Sequence, residues 1–425
     1  MSKKRLIWRR SLSAGLSVLL CLSMLPVAAL AEEPDGSEDV PQNTAVEKAD
    51  TENVENTTDN NAVVENAIVE GTVVDSDAVE NSDDADVDAQ DIDALDIDAD
   101  AVNVQAAAAE HAHPICGSGD ACTDPNHASH EIITDWQPIS SESELRNTQA
   151  NRHYYLTSNI VFDRYWWCRN SIVLCLNGHS IIFQKASGTN DGVSISSNTN
   201  FTICDCSENQ TGTITGSTQN GVKVSGGNSI FNMYGGKITG NSNNAGTENA
   251  YGGGVRVTYG STFNMYGGEI SDNQSISSWY SYGGGVYVDY KDSIFNMYGG
   301  AITGNTAKTG GGIAVQDNAT VTIGGAPIIR DNIGTGTIIP APDIYITGSC
   351  FNTNGLTGDN KYQITVEKMN FTDRRGVCVG TMSKEDSTHF IATKHSELDG
   401  NDPWIPWYNG EQLFFVRESA KHQGG

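Results

Sequence analysis

The sequence predicts an all-β protein built around a parallel β-helix, and three observations lead to this fold class. The hexapeptide Phe-Asn-Met-Tyr-Gly-Gly occurs at residues 231–236, 263–268 and 295–300, and therefore recurs every 32 residues. A short strand containing isoleucine follows each copy, and a glycine-rich turn then leads into a Val-x-Val or Ile-x-Val strand. Glycine accounts for 45 of the 425 residues and charged residues for only 18%, which is typical of a turn-rich β protein.

Residues 1–31 have the features of a signal peptide that directs export. Five basic residues precede the apolar run Leu12–Leu30, which ends in the small-x-small sequence Ala29-Leu30-Ala31. Serines and Pro26 interrupt the run, so it suits cleavage better than a permanent membrane anchor. We therefore expect a secreted, extracellular protein or a cell-surface protein without a membrane span after cleavage.

Residues 32–110 carry most of the negative charge of the chain. This stretch holds 25 acidic residues and one lysine, against a formal net charge of −28 for the whole sequence. With almost no aromatic residues, it predicts a disordered acidic spacer or pro-segment. A nucleic-acid-binding function is excluded, because no basic stripe is present to neutralise phosphates.

Residues 111–130 form a small patch of histidine and cysteine. The patch contains His111, His113, Cys116, Cys122, His127 and His130. Imidazole and thiolate are the ligands that zinc prefers, so a zinc site is one interpretation. A Cys116–Cys122 disulfide is the other, since eight cysteines remain after loss of the leader and an even number favours disulfides in an exported protein. Packing or pairing of Cys204 or Cys206 with Cys175 is also expected.

Residues 131–345 are predicted to form a parallel β-helix with an N-terminal cap. Each unit of 26–32 residues holds three short strands, which is too few for a propeller blade. Stacked units would form one continuous interior, with phenylalanine, methionine, valine and isoleucine each aligned along the axis. Asn241, Asn273, Asn305 and Asn332 recur in the same way, which predicts an asparagine ladder. Residues 131–170 and 346–425 lack the repeat and are predicted to cap the two ends.

The repeat Phe-x-Met-Tyr-Gly-Gly-x-Ile-x-Gly-Asn, with its later Gly-Gly-Gly-Val-x-Val, resembles the right-handed β-helix surface proteins of bacteria, the pectin-lyase-like superfamily. Its glycine-rich themes are similar to those of chlamydial polymorphic membrane proteins. The stretch from Val173 to Ile181, with Phe201–Cys206, resembles the opening coils of repeat proteins exported by gut Firmicutes. The resemblance implies a right-handed parallel β-helix, and its families include polysaccharide lyases, glycoside hydrolases and non-enzymatic adhesins.

The preferred functional hypothesis is an adhesin or a module that binds glycan or a host surface. Outward positions of the Val-x-Val strands and an aromatic loop supply the candidate ligand-binding residues, which are Lys223, Arg256, Tyr287, Asp289, Trp279 and Tyr280. Lys237 and Glu269 are expected to form an ion pair between coils. We expect a monomer whose partner is a polysaccharide or a host-surface glycan or protein.

A carbohydrate-active enzyme is the alternative hypothesis, with a polysaccharide lyase preferred to a glycoside hydrolase. Arg256 and Glu269 are the candidate catalytic residues, and a lyase would need calcium to hold the uronate. No paired-carboxylate signature of a hydrolase is found in the sequence. An adhesin without catalytic activity is therefore the preferred interpretation.

Overall fold

A computed structural model describes residues 111–116, 122–124, 130–184, 191–337, 341–348, 350–366, 377–392 and 402–421. The predicted signal peptide, the predicted acidic spacer at 32–110 and His127 lie outside the described residues.

The described residues form short strands and three short helices. In chain order they are β1 (Gln137–Ile139), α1 (Glu142–Arg146), β2 (Arg152–Leu156), β3 (Ile160–Phe162), β4 (Trp166–Cys168), β5 (Ile172–Cys175), β6 (Ser180–Phe183), β7 (Val193–Ile195), β8 (Asn200–Cys204), β9 (Thr213–Thr215), β10 (Val222–Ser225), β11 (Ile230–Met233), β12 (Lys237–Thr239), β13 (Ser242–Asn244), β14 (Ala250–Tyr251), β15 (Val255–Thr258), β16 (Thr262–Met265), β17 (Glu269–Ser271), β18 (Gln274–Ile276), β19 (Ser281–Tyr282), β20 (Val286–Val288), β21 (Ile294–Met297), β22 (Ala301–Thr303), β23 (Thr306–Ala307), β24 (Ile313–Val315), β25 (Thr320–Gly325), β26 (Ile328–Arg330), β27 (Ile333–Gly334), β28 (Ile344–Ile346), β29 (Cys350–Leu356), β30 (Tyr362–Val366), β31 (Val377–Thr381), α2 (Lys384–Ser387), β32 (Phe390–Ala392), β33 (Trp404–Tyr408), β34 (Gln412–Arg417) and α3 (Glu418–Lys421).

These strands assemble into a parallel β-solenoid, which confirms the predicted fold class. Three long sheets form the walls, and within the described residues they contain 12, 9 and 7 strands. Each coil contributes one strand to each wall, so β11, β16 and β21 are neighbours although they are separated by whole repeats in the sequence. Two smaller sheets are added by residues that lie between a ladder asparagine and the next strand of the walls: β13-β18-β23-β27 follows the asparagines, and β14-β19 precedes two of the glycine triplets.

The inward side chains align along the axis as the repeat predicts. Phe231, Phe263 and Phe295 are paired in register and fully buried, with ring centroids 4.9 Å apart at both steps. The methionine, valine and isoleucine rows are buried in the same way. Because each buried apolar side chain contributes about 1.5–3 kcal/mol, this continuous interior is the main source of stability.

A buried asparagine ladder runs along one corner of the solenoid. The side-chain oxygen of Asn273 accepts hydrogen bonds from the backbone N–H and the amide Nδ2 of Asn241, at 3.1 and 2.9 Å. Asn273 bonds to Asn305 in the same way, and Asn305 to Asn332. Asn332 donates to Asp343 Oδ1 at 3.0 Å, so a carboxyl group continues the row. The predicted ladder is confirmed.

The glycine triplets let the backbone approach this ladder closely. A Cβ atom on Gly285 would lie 2.7 Å from the carbonyl oxygen of Gly312 and 2.9 Å from Cγ2 of Ile302. These contacts are shorter than any ordinary packing distance, and the equivalent Gly254 has equivalent neighbours. Glycine is therefore needed here because there is no space for a side chain.

The coils extend beyond the segment that carries the hexapeptide. Strands β1, β2, β5 and β8 already pair in parallel before the first copy, and β29, β30 and β32 continue the walls after the last. These outer coils keep buried apolar residues on all three walls but lack the repeated turn residues, so the sequence pattern ends before the architecture does. The last described strands, β33 and β34, form an antiparallel hairpin that pairs with β31.

The helices of the described residues have four or five residues each. No helix in this part of the chain is both long and apolar enough to cross a membrane.

Candidate functional site

The aromatic loop between β18 and β19 is the most exposed apolar surface of the repeat region. Trp279 and Tyr280 are adjacent in the sequence, and their large side chains are 66% and 59% exposed. The Tyr280 ring stacks on Tyr282, with centroids 6.2 Å apart and planes inclined by 12°. We call the surface formed by Trp279 and Tyr280 the aromatic shelf.

Hydrogen bonds between coils hold the aromatic shelf in place. Lys308 Nζ donates to the carbonyl oxygens of Ser278 and Trp279, at 2.7 and 2.9 Å. On the other side, Ser278 Oγ donates to the Gly246 carbonyl at 2.8 Å, and the backbone N–H of Ala250 donates to the Tyr280 carbonyl at 2.9 Å. The loop is thus fixed from the coil above and the coil below.

Arg256, Tyr287 and Asp289, three of the predicted ligand-binding residues, meet in a largely buried network. Arg256 lies 2.9 Å from Asp289, and its guanidinium stands over the rings of Tyr251 and Tyr287, at 5.0 and 5.7 Å from their centroids. Tyr287 is 1% and Asp289 3% exposed. Burial raises the pKa of Asp289, while the Arg256 charge acts in the opposite direction.

An outer layer of side chains explains why this network is not an open groove. Tyr287, Ala314 and Tyr345 point away from the central interior, yet they are covered by Tyr251 and Tyr282 from the small β14–β19 sheet. Tyr251 and Tyr282 each directly precede a glycine triplet and are paired in register, so their recurrence was the signal in the sequence that could have indicated this cover. Arg256 and Asp289 therefore adjoin this layer of tyrosines rather than line an open groove. Lys223, one coil earlier, pairs with Asp191 at 3.4 Å.

A shallow groove of about 490 Å³ lies on a different wall and contains the predicted ion pair between coils. Lys237 Nζ is 2.9 Å from Glu269 Oε2, which confirms that pairing. Partial burial alone would raise the pKa of Glu269, but a hydrogen bond from Ser271 and the Lys237 charge lower it below its usual range. Glu269 is thus ionised at neutral pH, which suits an ion pair better than a general acid.

The two candidate catalytic residues are not brought together. Arg256 lies on β15 in the nine-stranded sheet, whereas Glu269 begins β17 in the seven-stranded sheet. Each is already paired with an opposite charge.

The predicted metal ligands divide into two clusters on the outside of the 12-stranded sheet. In the first, His111 and His113 meet Cys175 and Cys206, and the four ligating atoms lie within 4.8 Å of one another. In the second, Cys116 and His130 are joined by a contact of 3.1 Å between Sγ and Nδ1, with Cys122 close by. Cys175 and Cys206 were not predicted as partners of the histidines; the available signal was their common outward direction on neighbouring coils.

The thiols of Cys116, Cys168, Cys175, Cys204 and Cys206 are free, although Cys175 and Cys204 are in register and Cys175 Sγ lies 3.4 Å from Cys206 Sγ. The expected packing of Cys175 with these cysteines is confirmed, and disulfide formation stays a prediction.

The segment around the second cluster packs on an outer row of tyrosines. The Tyr234 hydroxyl donates to Asp124 Oδ2 at 2.7 Å, and the Thr123 hydroxyl donates to the Tyr266 carbonyl. Tyr234, Tyr266 and Tyr298 are stacked along the wall at centroid distances of 4.7 and 5.7 Å. The Cys/His patch therefore lies against the solenoid rather than apart from it.

Comparison with known proteins adds no family to this description. No protein-family model matches the chain, and neither a curated protein nor a solved structure shows significant similarity to it.

Proposed function

We propose that this protein is an adhesin, an extracellular or cell-surface module that binds carbohydrate on the aromatic shelf. The observation that carries the proposal is the pair of exposed rings, Trp279 and Tyr280, on a loop held from both neighbouring coils. Single exposed apolar residues are ordinary, but two adjacent large aromatic side chains kept in water favour a binding surface.

Carbohydrate is the preferred ligand class because of what surrounds the rings. A flat aromatic face can cover the apolar face of a pyranose, while neighbouring polar groups bond its hydroxyls. The 244–249 loop, which lies beside the shelf, exposes Asn244, Glu248 and Asn249. Both donors and acceptors are thus present at the edge of the aromatic surface.

The rigidity of the loop supports a binding function as well. A ligand that binds a preformed surface does not have to order the loop, and this saves about 0.5–1.5 kcal/mol for each side chain that would otherwise be immobilised. Trp and Tyr add a large contact area with few rotatable bonds. Hydrogen bonds from Lys308 therefore contribute to affinity without touching the ligand.

The experiment is a binding screen of the full chain against a panel of soluble oligosaccharides, followed by calorimetric titration of any that bind. The double variant Trp279→Ala/Tyr280→Ala should weaken binding at least tenfold and leave the unfolding midpoint unchanged. Trp167→Ala is the matched control, because Trp167 is 48% exposed but lies on β4, the edge strand of the nine-stranded sheet and several coils from the shelf. Absence of any carbohydrate ligand, or equal binding by the double variant, would overturn the proposal.

The enzyme alternative is tested with the same protein. Uronate polysaccharides and calcium are added, and the absorbance of an unsaturated product is followed. Turnover that is lost in Arg256→Lys or Glu269→Gln would replace the adhesin proposal by a lyase.

A further inference from the structure

The first Cys/His cluster joins two separate parts of the chain. His111 and His113 belong to the segment that precedes the first strand, whereas Cys175 ends β5 and Cys206 follows β8. We infer that these four residues bind one zinc ion, and that the ion fastens the 111–116 segment to the outer wall of the solenoid. This inference is independent of the carbohydrate proposal.

The distances between the ligating atoms agree with a tetrahedral zinc site. Cys175 Sγ and Cys206 Sγ are 3.4 Å apart, the Nε2 atoms of His111 and His113 are 2.9 Å apart, and Cys206 Sγ is 3.8 Å from His111 Nε2. Zn–S bonds of about 2.3 Å and Zn–N bonds of about 2.0–2.1 Å imply ligand separations of roughly 3.3–3.8 Å. These three separations are each within about 0.5 Å of the tetrahedral values, and all four ligating atoms lie within 4.8 Å of one another.

Neighbouring groups already orient both imidazoles. His113 Nδ1 donates to the Pro114 carbonyl at 2.7 Å, which leaves Nε2 with its lone pair directed at the cluster. The His111 ring stacks on Tyr155 at 4.0 Å and the His113 ring on Trp136 at 4.5 Å. A hydrogen bond to the second ring nitrogen is the usual support of a histidine metal ligand.

The ligand set indicates a structural rather than a catalytic ion. Two thiolates and two imidazoles fill a tetrahedron, so no position is left for substrate or water. Cys175 is buried and the other three are half-buried. The second cluster provides only Cys116, Cys122 and the exposed His130, and is the weaker candidate.

A disulfide between Cys175 and Cys206 is the rival use of the two thiols. It would leave the histidines unexplained, because an imidazole pair with facing Nε2 atoms has no function in a disulfide. Zinc accounts for all four side chains at once. Among the described residues, the backbone of the 111–116 segment is joined to the following residues only by the His113–Ile133 bridge, whose two hydrogen bonds are 3.3 and 3.2 Å long.

The test is metal binding by the full chain, reduced and freed of metal with a chelator. Titration with Co²⁺ should saturate at one strongly bound ion, with thiolate charge-transfer bands and the intense visible bands of tetrahedral cobalt, and Zn²⁺ should remove them. Cys206→Ser and His113→Gln should each weaken binding at least tenfold. Cys116→Ser, in the second cluster, and Cys168→Ser, a buried cysteine on β4, should retain it.

Hydrogen exchange gives a second readout that does not depend on colour. Zn²⁺ should slow exchange in peptides covering 111–116 in the wild type but not in His113→Gln, while β16 stays protected in both. His113 lies outside the coils, so circular dichroism of this variant should match the wild type. Three results would overturn the inference: no bound metal, cobalt spectra unaffected by both variants, or a Cys175–Cys206 disulfide in protein prepared with zinc.

Discussion

Replacing Asn273 by alanine should be one of the most costly single changes in this protein. Asn273 is fully buried, and its side chain takes part in four hydrogen bonds, two accepted from Asn241 and two donated to Ile238 and Asn305. A hydrogen bond contributes about 1 kcal/mol net, and a buried group left without a partner costs about 1–3 kcal/mol. We therefore expect Asn273→Ala to lower the free energy of unfolding by about 3–5 kcal/mol.

Asn264 supplies the matched control. It occupies the same coil and also forms an asparagine row, donating to Asn232 Oδ1 and accepting from Asn296, both at 2.9 Å. Its row lies on the half-exposed outer face, where water can replace a lost partner. Asn264→Ala should thus cost less than about 1 kcal/mol.

The measurement is urea unfolding of the full chain, followed by circular dichroism. Midpoint and slope are compared together, because solenoids can lose coils separately and then depart from a two-state transition. If Asn273→Ala and Asn264→Ala unfold at the same urea concentration, the buried ladder does not hold the coils together and the reasoning fails.

Three further predictions concern buried charge and close packing. Arg256→Met leaves the Asp289 carboxylate unpaired and should lower the free energy of unfolding, measured with urea at pH 7, by about 3–5 kcal/mol. The double variant Arg256→Met/Asp289→Asn should recover part of this loss. Equal urea midpoints for the wild type and Arg256→Met would contradict the prediction. Burial raises the pKa of Asp343, so the fold favours its protonated form and the wild type gains stability as pH falls through that raised pKa. Asp343→Asn should therefore be more stable than wild type at neutral pH, with a gap that closes on acidification; a gap that is constant with pH would refute the assignment. Gly285→Ala should lower the urea midpoint strongly because its Cβ would lie 2.7 Å from a backbone oxygen, whereas Gly227→Ala, with open space at that position, should leave the midpoint unchanged.

The features that the sequence predicted best are those that repeat along the axis. A residue that returns every 32 positions must meet its own copy in the next coil, so the Phe263 row, the Asn273 ladder and the Lys237–Glu269 pair followed from spacing alone. Their environment is fixed by the translation between coils. These contacts could be predicted without knowing the conformation of the loops between the strands.

Two features of the candidate sites were missed for different reasons. Tyr287 was expected to face outward, and it does leave the central interior, but the β14–β19 sheet covers it; the signal for this cover was the tyrosine that precedes two of the glycine triplets, at Tyr251 and Tyr282. By contrast, His113 and Cys206 are 93 positions apart in a region without a shared period, and they meet because the 111–116 segment folds back on the wall. Periodicity predicts the contacts between coils, but the contacts between coils and non-repeating segments cannot be inferred from it.

The antiparallel hairpin at the end of the described chain has a consequence for self-association. A stack of parallel coils offers an edge onto which another copy could add, and such growth would produce filaments. Here β33 and β34 reverse the strand direction, and the outermost strand carries Pro406, which has no N–H to donate. This edge of the 12-stranded wall therefore presents a poor template for the strands of a second molecule.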